Sequence, residues 1–312
     1  MPKFTTLSGA SVHPFAFGTM QMGGKADEAD SHAMYAACRD AGIAHFDTAW
    51  AYQGGKTEQI LGGLIARERD QVFIATKAAN DKVFSADIIN SQFDESRARL
   101  GIDVIDLFYL HQWDPVTPLD EPLKAIAAHV DAGRIRHVAV SNFSAWQVML
   151  AQGIAAREGI RIDAIQPMYN LVKRQAEVEI LPMAEDQDVA VFPYSPLGGG
   201  LLTGKYAHGD DKGRIKTDAM YSARYAPAWM HDAAAGLSEV ARVADVHPAT
   251  LAVAWAAHHS GVTGPIISAR NVEQLRPSLD AINFHMTDAL YREVSTLSPA
   301  PPPANDRLEE TS

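Results

Sequence analysis

The fold class is decided by three consecutive stretches: the run Val72-Phe-Ile-Ala-Thr-Lys77, the segment Ser85 to Leu100, and the run Ile105-Asp-Leu-Phe-Tyr-Leu110. Both runs are almost continuously hydrophobic, which is typical of parallel strands covered on both faces. The segment between them is helix-like because its apolar residues fall on one face of a helix: Ile88, Ile89, Phe93 and Leu100. Together the three stretches predict a right-handed strand–helix–strand unit.

The same alternation extends over nearly the whole chain. The other hydrophobic runs span residues 15–19, 43–47, 135–140, 164–168, 189–194 and 264–267, which makes eight runs in all. Further helix-like segments span residues 57–66, 119–131, 144–157 and 176–186. Eight repeats favour closure into a (β/α)8 barrel of the TIM type, with a doubly wound open sheet as the alternative. We therefore expect an α/β chain with a single barrel domain over residues 1–297.

Two irregular regions interrupt the pattern. Residues 198–230 follow the seventh run and are rich in glycine, tyrosine and charge. They are too long for an ordinary connection, which predicts a long functional loop or lid after strand 7. Residues 298–312 begin with several prolines and predict a flexible, extended C-terminal tail.

Composition argues against several classes of protein. The chain has 312 residues, 47% of them hydrophobic, and a formal charge of −11, so it can bury a large core but has no general attraction for nucleic acid or anionic membranes. It contains no run of about eighteen apolar residues and no apolar leader, which predicts a cytoplasmic protein. The single cysteine, Cys38, cannot form an internal disulfide or a cysteine zinc cluster. The pair His258-His259 lacks a spaced partner, so no metal site is expected.

Polar side chains recur where the predicted strands end. Asp47 closes the second run, Lys77 closes the third, and His111 follows the fourth. The fifth, sixth and seventh runs carry polar residues near the same end: Ser141-Asn142, Gln166 and Tyr194-Ser195. Each residue alone could cap a turn, end in solvent or lie in a loop. Because the carboxyl ends of parallel barrel strands form one rim, the set as a whole predicts one active site.

A motif at the end of the second run points to one family. Asp47-Thr-Ala-Trp-Ala-Tyr52 is followed by Gly54-Gly-Lys-Thr-Glu58 and Ile60-Leu-Gly62. With Lys77 and His111 further along, this arrangement resembles the signature of the aldo-keto reductases, and the resemblance runs from about Gly18 to about Leu279. It implies reduction of an aldehyde or ketone by four catalytic residues: Asp47, Tyr52, Lys77 and His111.

The resemblance also implies a role for each of these four residues. Tyr52 is the general acid that protonates the developing alkoxide while hydride arrives at the carbonyl carbon. The ordinary pKa of a tyrosine is near 10, and the ammonium of Lys77 is expected to lower it. Asp47 holds Lys77 charged and oriented, and His111 hydrogen-bonds the substrate oxygen.

NADPH is the hydride donor that the resemblance implies. Its binding residues are expected to be Thr19, Met20, Asp47, Ser141, Asn142, Gln166, Tyr194, Ser195, Leu197, Gly198, Gly200, Lys205, Ser268, Arg270, Gln274 and Ser278. Arg270 can clamp a 2′-phosphate, which favours NADPH over NADH. Related chains commonly have Glu-Asn shortly after a Gln-Leu pair in this segment, whereas this chain has Arg276-Pro277-Ser278, a departure at the adenine end.

The expected partner is a small carbonyl compound held against an apolar wall. This wall is expected to comprise Met20, Trp50, Phe84 and Trp113, with ordinary packing under a loop as the alternative for each.

Two other functions remain open: a reductase-like regulatory subunit that holds NADPH with little turnover, and a Schiff-base enzyme with Lys77 as nucleophile. Residues 199–205 match the letters of a phosphate loop, but Tyr206 follows where a Ser or Thr is needed for Mg²⁺, which argues against a nucleoside triphosphate site.

Overall fold

The strands form one curved parallel sheet. The computed structural model of the chain describes residues 4–80, 83–208 and 213–305. Its eight strands are β1 (Ala16–Gly18), β2 (His45–Asp47), β3 (Phe73–Ala78), β4 (Ile105–Leu110), β5 (Ile135–Ser141), β6 (Ile162–Gln166), β7 (Ala190–Val191) and β8 (Ile266–Ile267). They lie in the order β7-β6-β5-β4-β3-β2-β1-β8, and every neighbouring pair is parallel.

The two edges of this sheet come together. A parallel bridge joins Tyr194 to Ile266, and the amide of Ile266 donates to the carbonyl of Pro193 at 2.9 Å. Both edge strands are shorter than the hydrophobic runs that predicted them. Pro193 and Pro265 lack an amide hydrogen, and this interrupts the strand ladder at both places. The eight strands therefore form a curled sheet of a TIM-barrel-like α/β fold.

Helices alternate with the strands along the chain and cover the sheet. They are α1 (Glu28–Asp40), α2 (Lys56–Ile65), α3 (Ala86–Leu100), α4 (Asp120–Asp131), α5 (Ala145–Arg157), α6 (Ile180–Asp186), α7 (Arg214–Thr217), α8 (Ala219–Arg224), α9 (Ala228–Val243), α10 (Pro248–His258), α11 (Val272–Asp280) and α12 (Asp288–Ser295). Local signals set their ends: the Ser85 hydroxyl accepts from the amide of Ile88 at the start of α3, and Gly101 ends that helix in the left-handed conformation. Because helices cover them, all residues of β3 and β4 are buried.

The interior of the curled sheet combines small side chains with a few large rings. Its alanines are fully buried: Ala16, Ala75, Ala139, Ala164 and Ala190. They leave room for the rings of Phe73, Tyr109 and Phe192 within the same cluster. A second, larger hydrophobic layer lies between the sheet and the helices.

An N-terminal hairpin closes one end of this interior, and the hydrophobic pattern did not predict it. Thr5 and Ser11 form an antiparallel bridge. Phe4 packs edge-on against Phe73 and His137, with ring centroids 5.5 and 4.9 Å away. Since Phe73 is the first residue of β3, the hairpin lies at the amino ends of the strands, opposite the predicted active site.

The segment after β7 contains short helical turns where one long loop was expected. Two 3₁₀ turns, Gly198–Thr203 and Lys205–His208, come first, and α7 and α8 follow. Residues 209–212 of this segment lie outside the described residues. The described part is thus ordered into turns that pack beside the carboxyl ends of the strands.

The predicted tail is described only in its first part, and residues 306–312 lie outside the described ranges. Its first residue, Ser298, is 5% exposed, and Arg174 Nη1 donates to its carbonyl at 3.4 Å. Among the helices described, none combines the length and apolar character that crossing a bilayer requires.

Candidate active site

A buried ion pair lies at the carboxyl ends of β2 and β3. The Lys77 side chain is fully buried, and its Nζ donates to Asp47 Oδ2 at 2.6 Å and to the carbonyl of Thr48 at 2.8 Å. The other oxygen of the carboxylate, Asp47 Oδ1, accepts from Gln166 Nε2 at 2.9 Å. Strand pairing explains the meeting, since β2 and β3 are neighbours and Asp47 pairs with Ala75, two residues before Lys77.

Tyr52 lies beside this pair on a 3₁₀ turn that follows β2. Lys77 Nζ is 5.2 Å from the centre of the Tyr52 ring. The turn is anchored because the amide of Trp50 donates to the carbonyl of Lys77 at 3.0 Å. His111 faces Tyr52 edge-on, with ring centroids 5.9 Å apart. The structure therefore brings the four predicted catalytic residues together.

The surroundings of Lys77 favour its protonated form. Burial disfavours the ammonium of Lys77, but the neighbouring Asp47 carboxylate and Tyr52 outweigh it and raise the pKa above its ordinary value. A charged lysine cannot act as a Schiff-base nucleophile until it loses its proton, so this environment opposes the Schiff-base alternative.

The net effect on Tyr52 differs from the sequence-based expectation of a lowered pKa. Burial raises the pKa of the Tyr52 hydroxyl, and the ammonium of Lys77 offsets this only in part. Burial, followed by the charge of Lys77, lowers the pKa of His111 to about 3. At neutral pH the site thus contains a protonated phenol, a charged ammonium and a neutral imidazole.

A cavity of about 1050 Å³ opens above this group. Asp47, Tyr52 and His111 line it, whereas Lys77 lies behind its wall. Most residues that were predicted to bind a cofactor also line it: Met20, Asp47, Ser141, Asn142, Gln166, Tyr194, Ser195, Leu197, Gly200, Lys205, Ser268, Arg270 and Gln274. The others do not reach its described lining: Thr19, Gly198 and Ser278. Thr19 instead donates from its hydroxyl to the carbonyl of Asp47 at 2.9 Å and so holds β1 against β2.

Hydrogen bonds fix the polar groups on one side of the cavity. Tyr194 donates to Asn142 Oδ1 at 2.8 Å, and Asn142 Nδ2 donates to the carbonyl of His111 at 2.9 Å. Asn142 and Ser195 have left-handed backbones, with φ of 58° and 60°. Such conformations are uncommon for residues with a side chain and concentrate at functional sites.

The glycine turn after β7 brings bare backbone to the cavity. Gly199 and Gly200 have φ of 65° and 95°, and both line the cavity. A Cβ atom on Gly199 would lie 2.6 Å from Cδ1 of Tyr221. Only glycine fits here without displacing that ring or straining the backbone.

The far end of the cavity is formed by α11 and the residues before it. Arg270, Gln274 and Pro277 line it. Ser278 is 1% exposed, and its hydroxyl has no partner among the described residues. Where the resemblance implied an adenine contact from Ser278, the structure turns this side chain into the protein.

Of the four residues expected to form the substrate wall, only Met20 belongs to the described lining. Trp50 donates from Nε1 to Glu95 Oε2 at 2.9 Å, Phe84 is fully buried, and Trp113 packs edge-on against Phe143. These three side chains therefore lie outside the described lining of the cavity.

Sequence reasoning missed several lining residues: Gln21, Asn80, Gln112, Met220, Tyr221 and Arg224. Asn80 and Gln112 follow β3 and β4, so their position just past a strand end was a usable signal. Met220, Tyr221 and Arg224 belong to α8, and no local pattern says which side of that short helix faces the cavity.

Comparison with known proteins identifies the family of the chain. The family model described as Aldo/keto reductase family matches residues 14–298. The chain is similar to the uncharacterized oxidoreductase YrpG of Bacillus subtilis (strain 168), with 31% identity over 94% of each chain. Aflatoxin B1 aldehyde reductase member 2 of Mus musculus is 33% identical, over 90% of this chain and 83% of the relative. A probable voltage-gated potassium channel subunit beta of Arabidopsis thaliana is 30% identical, over 88% of this chain and 89% of the relative. Because the family model covers most of the chain and relatives match it over nearly their whole length, this chain belongs to the aldo/keto reductase family.

Proposed function

We propose that the chain reduces an aldehyde or ketone to the alcohol, with NADPH as hydride donor and Tyr52 as general acid. One observation carries this proposal. The buried ammonium of Lys77 bonds Asp47 at 2.6 Å and lies 5.2 Å from the Tyr52 ring centre, beside a cavity that Asp47 and Tyr52 line. Such a preorganised cation stabilises negative charge that develops on an oxygen next to it.

Tyr52 supplies the proton. Because burial raises the pKa of its hydroxyl, the phenol keeps its proton at neutral pH until a more basic alkoxide develops beside it. As the O–H bond of the alcohol forms, the O–H bond of Tyr52 breaks, and the electron pair stays on the phenolate. Lys77 stabilises this phenolate, and Asp47 keeps Lys77 charged.

His111 orients the carbonyl. Since burial and Lys77 lower its pKa to about 3, the imidazole is neutral and does not compete with Tyr52 as a proton donor. A neutral imidazole still offers one N–H donor to the carbonyl oxygen. Together with the Tyr52 hydroxyl it forms a small oxyanion site.

The cavity lining fits a dinucleotide that carries an extra phosphate. NADPH supplies the hydride when bound. The side-chain amides of Asn142 and Gln166 suit a carboxamide, and the left-handed Gly199–Gly200 turn offers backbone without Cβ atoms to a pyrophosphate. Arg270 lines the cavity and has no carboxylate partner among the described residues, so its guanidinium is available for a 2′-phosphate. Ser141, Tyr194, Ser195, Leu197, Lys205, Ser268 and Gln274 would complete the binding site.

The proposal extends to the remainder of the chain. Met220, Tyr221 and Arg224 of α8 line the cavity, which supports a lid role for the described part of the segment after β7, residues 198–208 and 213–230, above a closed (β/α)8 barrel. The substrate would be a small carbonyl compound held near Met20. We assign the protein to the cytoplasm from the sequence pattern.

A fluorescence titration tests the proposal. Purified protein is titrated with NADPH and, separately, with NADH, and tryptophan emission is followed. We expect tight NADPH binding with quenching, followed by oxidation of NADPH when aldehydes are added. Absence of binding by either nucleotide refutes the proposal.

A second function is favoured by one finding, the similarity to relatives named as probable potassium channel subunits. In that case the chain would hold NADPH but turn over little. Binding of NADPH without oxidation across a panel of aldehydes and ketones would favour this regulatory function over the first.

A further inference from the structure

A buried ion pair connects α3 with the elements that carry Tyr52 and Lys77. The carboxylate of Glu58, on α2, is fully buried and lies 3.3 Å from Arg99 Nη1. Its other oxygen accepts from Thr76 Oγ1 at 2.7 Å. Thr76 directly precedes Lys77 on β3. Glu58 therefore links α3 to α2, the helix that follows Tyr52, and to β3, the strand that carries Lys77.

Arg99 also reaches the loop in front of Tyr52. Its Nη1 donates to the carbonyl of Trp50 at 3.1 Å, and the guanidinium lies 5.4 Å from the centre of the Trp50 ring. Its Nη2 donates to Glu95 at 2.9 Å, and Glu95 accepts from the indole nitrogen of Trp50 at 2.9 Å. Both the backbone and the side chain of Trp50 are thus held, two residues before the general acid.

The loop on the other side of Tyr52 is strained and touches the same side chain. Gln53, Gly54 and Gly55 have consecutive left-handed backbones, with φ of 49°, 63° and 91°. A Cβ atom on Gly55 would lie 2.6 Å from the Arg99 Cζ atom. The guanidinium therefore contacts the chain on both sides of Tyr52. A left-handed run that includes a non-glycine residue persists only when its surroundings hold it.

We propose that Arg99 is a positioning residue for Tyr52. It does not line the cavity and acts through the loop, by fixing Trp50 and Gly55 and by anchoring both to Glu58. An arginine is needed because its planar fork of donors serves a carbonyl and two carboxylates while it stacks on an indole, which a lysine ammonium cannot do. A misplacement of about 1 Å in a reacting group can cost on the order of a hundredfold in rate.

Three variants test this inference. Arg99→Lys keeps the charge beside Glu58 but loses the fork. The double variant Glu58→Gln/Arg99→Met removes both charges, so no unpaired buried ion opposes folding. Arg97→Met is the matched control, because Arg97 lies on the same helix and bonds Asp94 and Asp103 instead of the loop.

The kinetic readout rests on the proposed reductase function. We expect Arg99→Lys and the double variant to lower kcat by roughly 10- to 100-fold. NADPH affinity should stay within about twofold, since no proposed cofactor contact is touched, and Arg97→Met should leave kcat unchanged. Folded Arg99 variants with kcat near that of the parent would overturn the inference.

A second readout does not depend on turnover. Tyrosine is labelled with ¹³C at Cζ, and the Tyr52 resonance is assigned with Tyr52→Phe. We expect that resonance to shift or broaden in the Arg99 variants and to stay unchanged in Arg97→Met. An unchanged Tyr52 resonance overturns the positioning role. A changed resonance in a protein that reduces no carbonyl would support the positioning role while refuting only the proposed function.

Discussion

Gln166 donates to the same carboxylate that holds Lys77: its Nε2 lies 2.9 Å from Asp47 Oδ1, while Lys77 Nζ lies 2.6 Å from Oδ2. One carboxylate therefore links a proposed nicotinamide contact to the proposed catalytic cation. Since both bonds are buried, a change at Asp47 should affect folding, cofactor binding and turnover together.

Removing one partner of the Asp47–Lys77 ion pair should destabilise the protein more than removing both partners. We expect Asp47→Leu to lower the free energy of unfolding by about 3–5 kcal/mol, because it leaves the buried Lys77 ammonium without a counter-ion. The double variant Asp47→Leu/Lys77→Met should recover most of that loss. Urea denaturation of the parent, the two single variants and the double variant measures this coupling. Simple additivity of the two single losses would contradict the expected coupling.

The assignment of the general acid predicts a separation of binding from turnover. Tyr52→Phe should reduce kcat by roughly 10²- to 10⁴-fold, since the ring remains and only the proton donor is lost. The dissociation constant of NADPH should change less than about twofold. Stopped-flow NADPH oxidation and fluorescence titration test the two parts. Tyr35→Phe is the control, because Tyr35 lies on α1 and the change removes only its hydrogen bond to Glu68. Parent-like turnover in Tyr52→Phe would remove Tyr52 from the mechanism.

Arg270 should discriminate between the two nicotinamide dinucleotides. We expect Arg270→Ala to weaken NADPH binding at least tenfold, about 1.4 kcal/mol, because the charge-assisted contact to the 2′-phosphate is lost. NADH lacks that phosphate, so its affinity should change little. Fluorescence titrations of the parent protein and of Arg270→Ala with NADPH and with NADH measure these affinities. Equal losses for NADPH and NADH would mean that Arg270 does not read the 2′-phosphate.

His45 should make the protein sensitive to acid. It is fully buried between the rings of Phe73 and Phe192, and burial followed by the charge of Lys77 lowers its pKa to about 3. In the unfolded chain it binds a proton at about pH 6.5, so between pH 6.5 and 3 the unfolded state takes up the extra proton. Stability attributable to His45 is therefore lost as the pH falls, by about 1.4 kcal/mol per pH unit.

The variant His45→Leu isolates this contribution. Urea denaturation of the parent and the variant at several pH values between 4 and 7 gives the two slopes. We expect the free energy of unfolding of the variant to fall less steeply on acidification than that of the parent, by about 1.4 kcal/mol per pH unit, which corresponds to one proton. Identical slopes would mean that His45 is protonated in the folded protein as readily as in the unfolded chain.

The glycine turn predicts opposite effects for two glycine-to-alanine changes. Gly199→Ala places a Cβ atom 2.6 Å from Tyr221 Cδ1 at a φ of 65°, so it should destabilise the protein by about 1–3 kcal/mol and weaken NADPH binding. Gly153→Ala is the control, because Gly153 lies within α5 and its Cβ would meet nothing within 4 Å. The control should stabilise the protein by about 1 kcal/mol. Thermal and urea unfolding, with nucleotide titration, distinguish the two. A stable Gly199→Ala variant with parent-like NADPH affinity would mean that neither the left-handed turn nor the missing Cβ matters.

Sequence pattern predicted the strands well where burial on both faces leaves a continuous hydrophobic signal. β4 coincides with the run that predicted it and β3 differs from its run by one residue at each end, and polar residues that follow these strands line one cavity: Asn80, His111 and Gln112. β7 is shorter than its run because Pro193 cannot donate to a ladder, an effect that hydrophobicity does not report. The hairpin around Phe4 escaped notice because a single bridge carries too few residues to form a pattern.

Side-chain direction beyond the strand ends was less predictable. Trp50 was expected to face a substrate, yet its indole turns to Glu95 and Arg99, which lie more than forty residues further along the chain. Likewise, the environment of Tyr52 depends on the sum of burial and a nearby charge. Sequence identified the charge of Lys77, but only the fold reveals that burial outweighs it.

The five alanines inside the curled sheet have a consequence for how such a chain can diverge. All five are fully buried in one cluster with three large rings, so a larger residue at position 16, 75, 139, 164 or 190 should require a compensating loss of volume at Phe73, Tyr109 or Phe192. Such paired substitutions should be rare as the sequence evolves. By contrast, α8 presents the exposed Met220 and the half-buried Arg224 to the cavity, and these two positions can vary one at a time. New substrate preferences should therefore arise by change in that segment, while the alanine-lined interior stays nearly constant in composition.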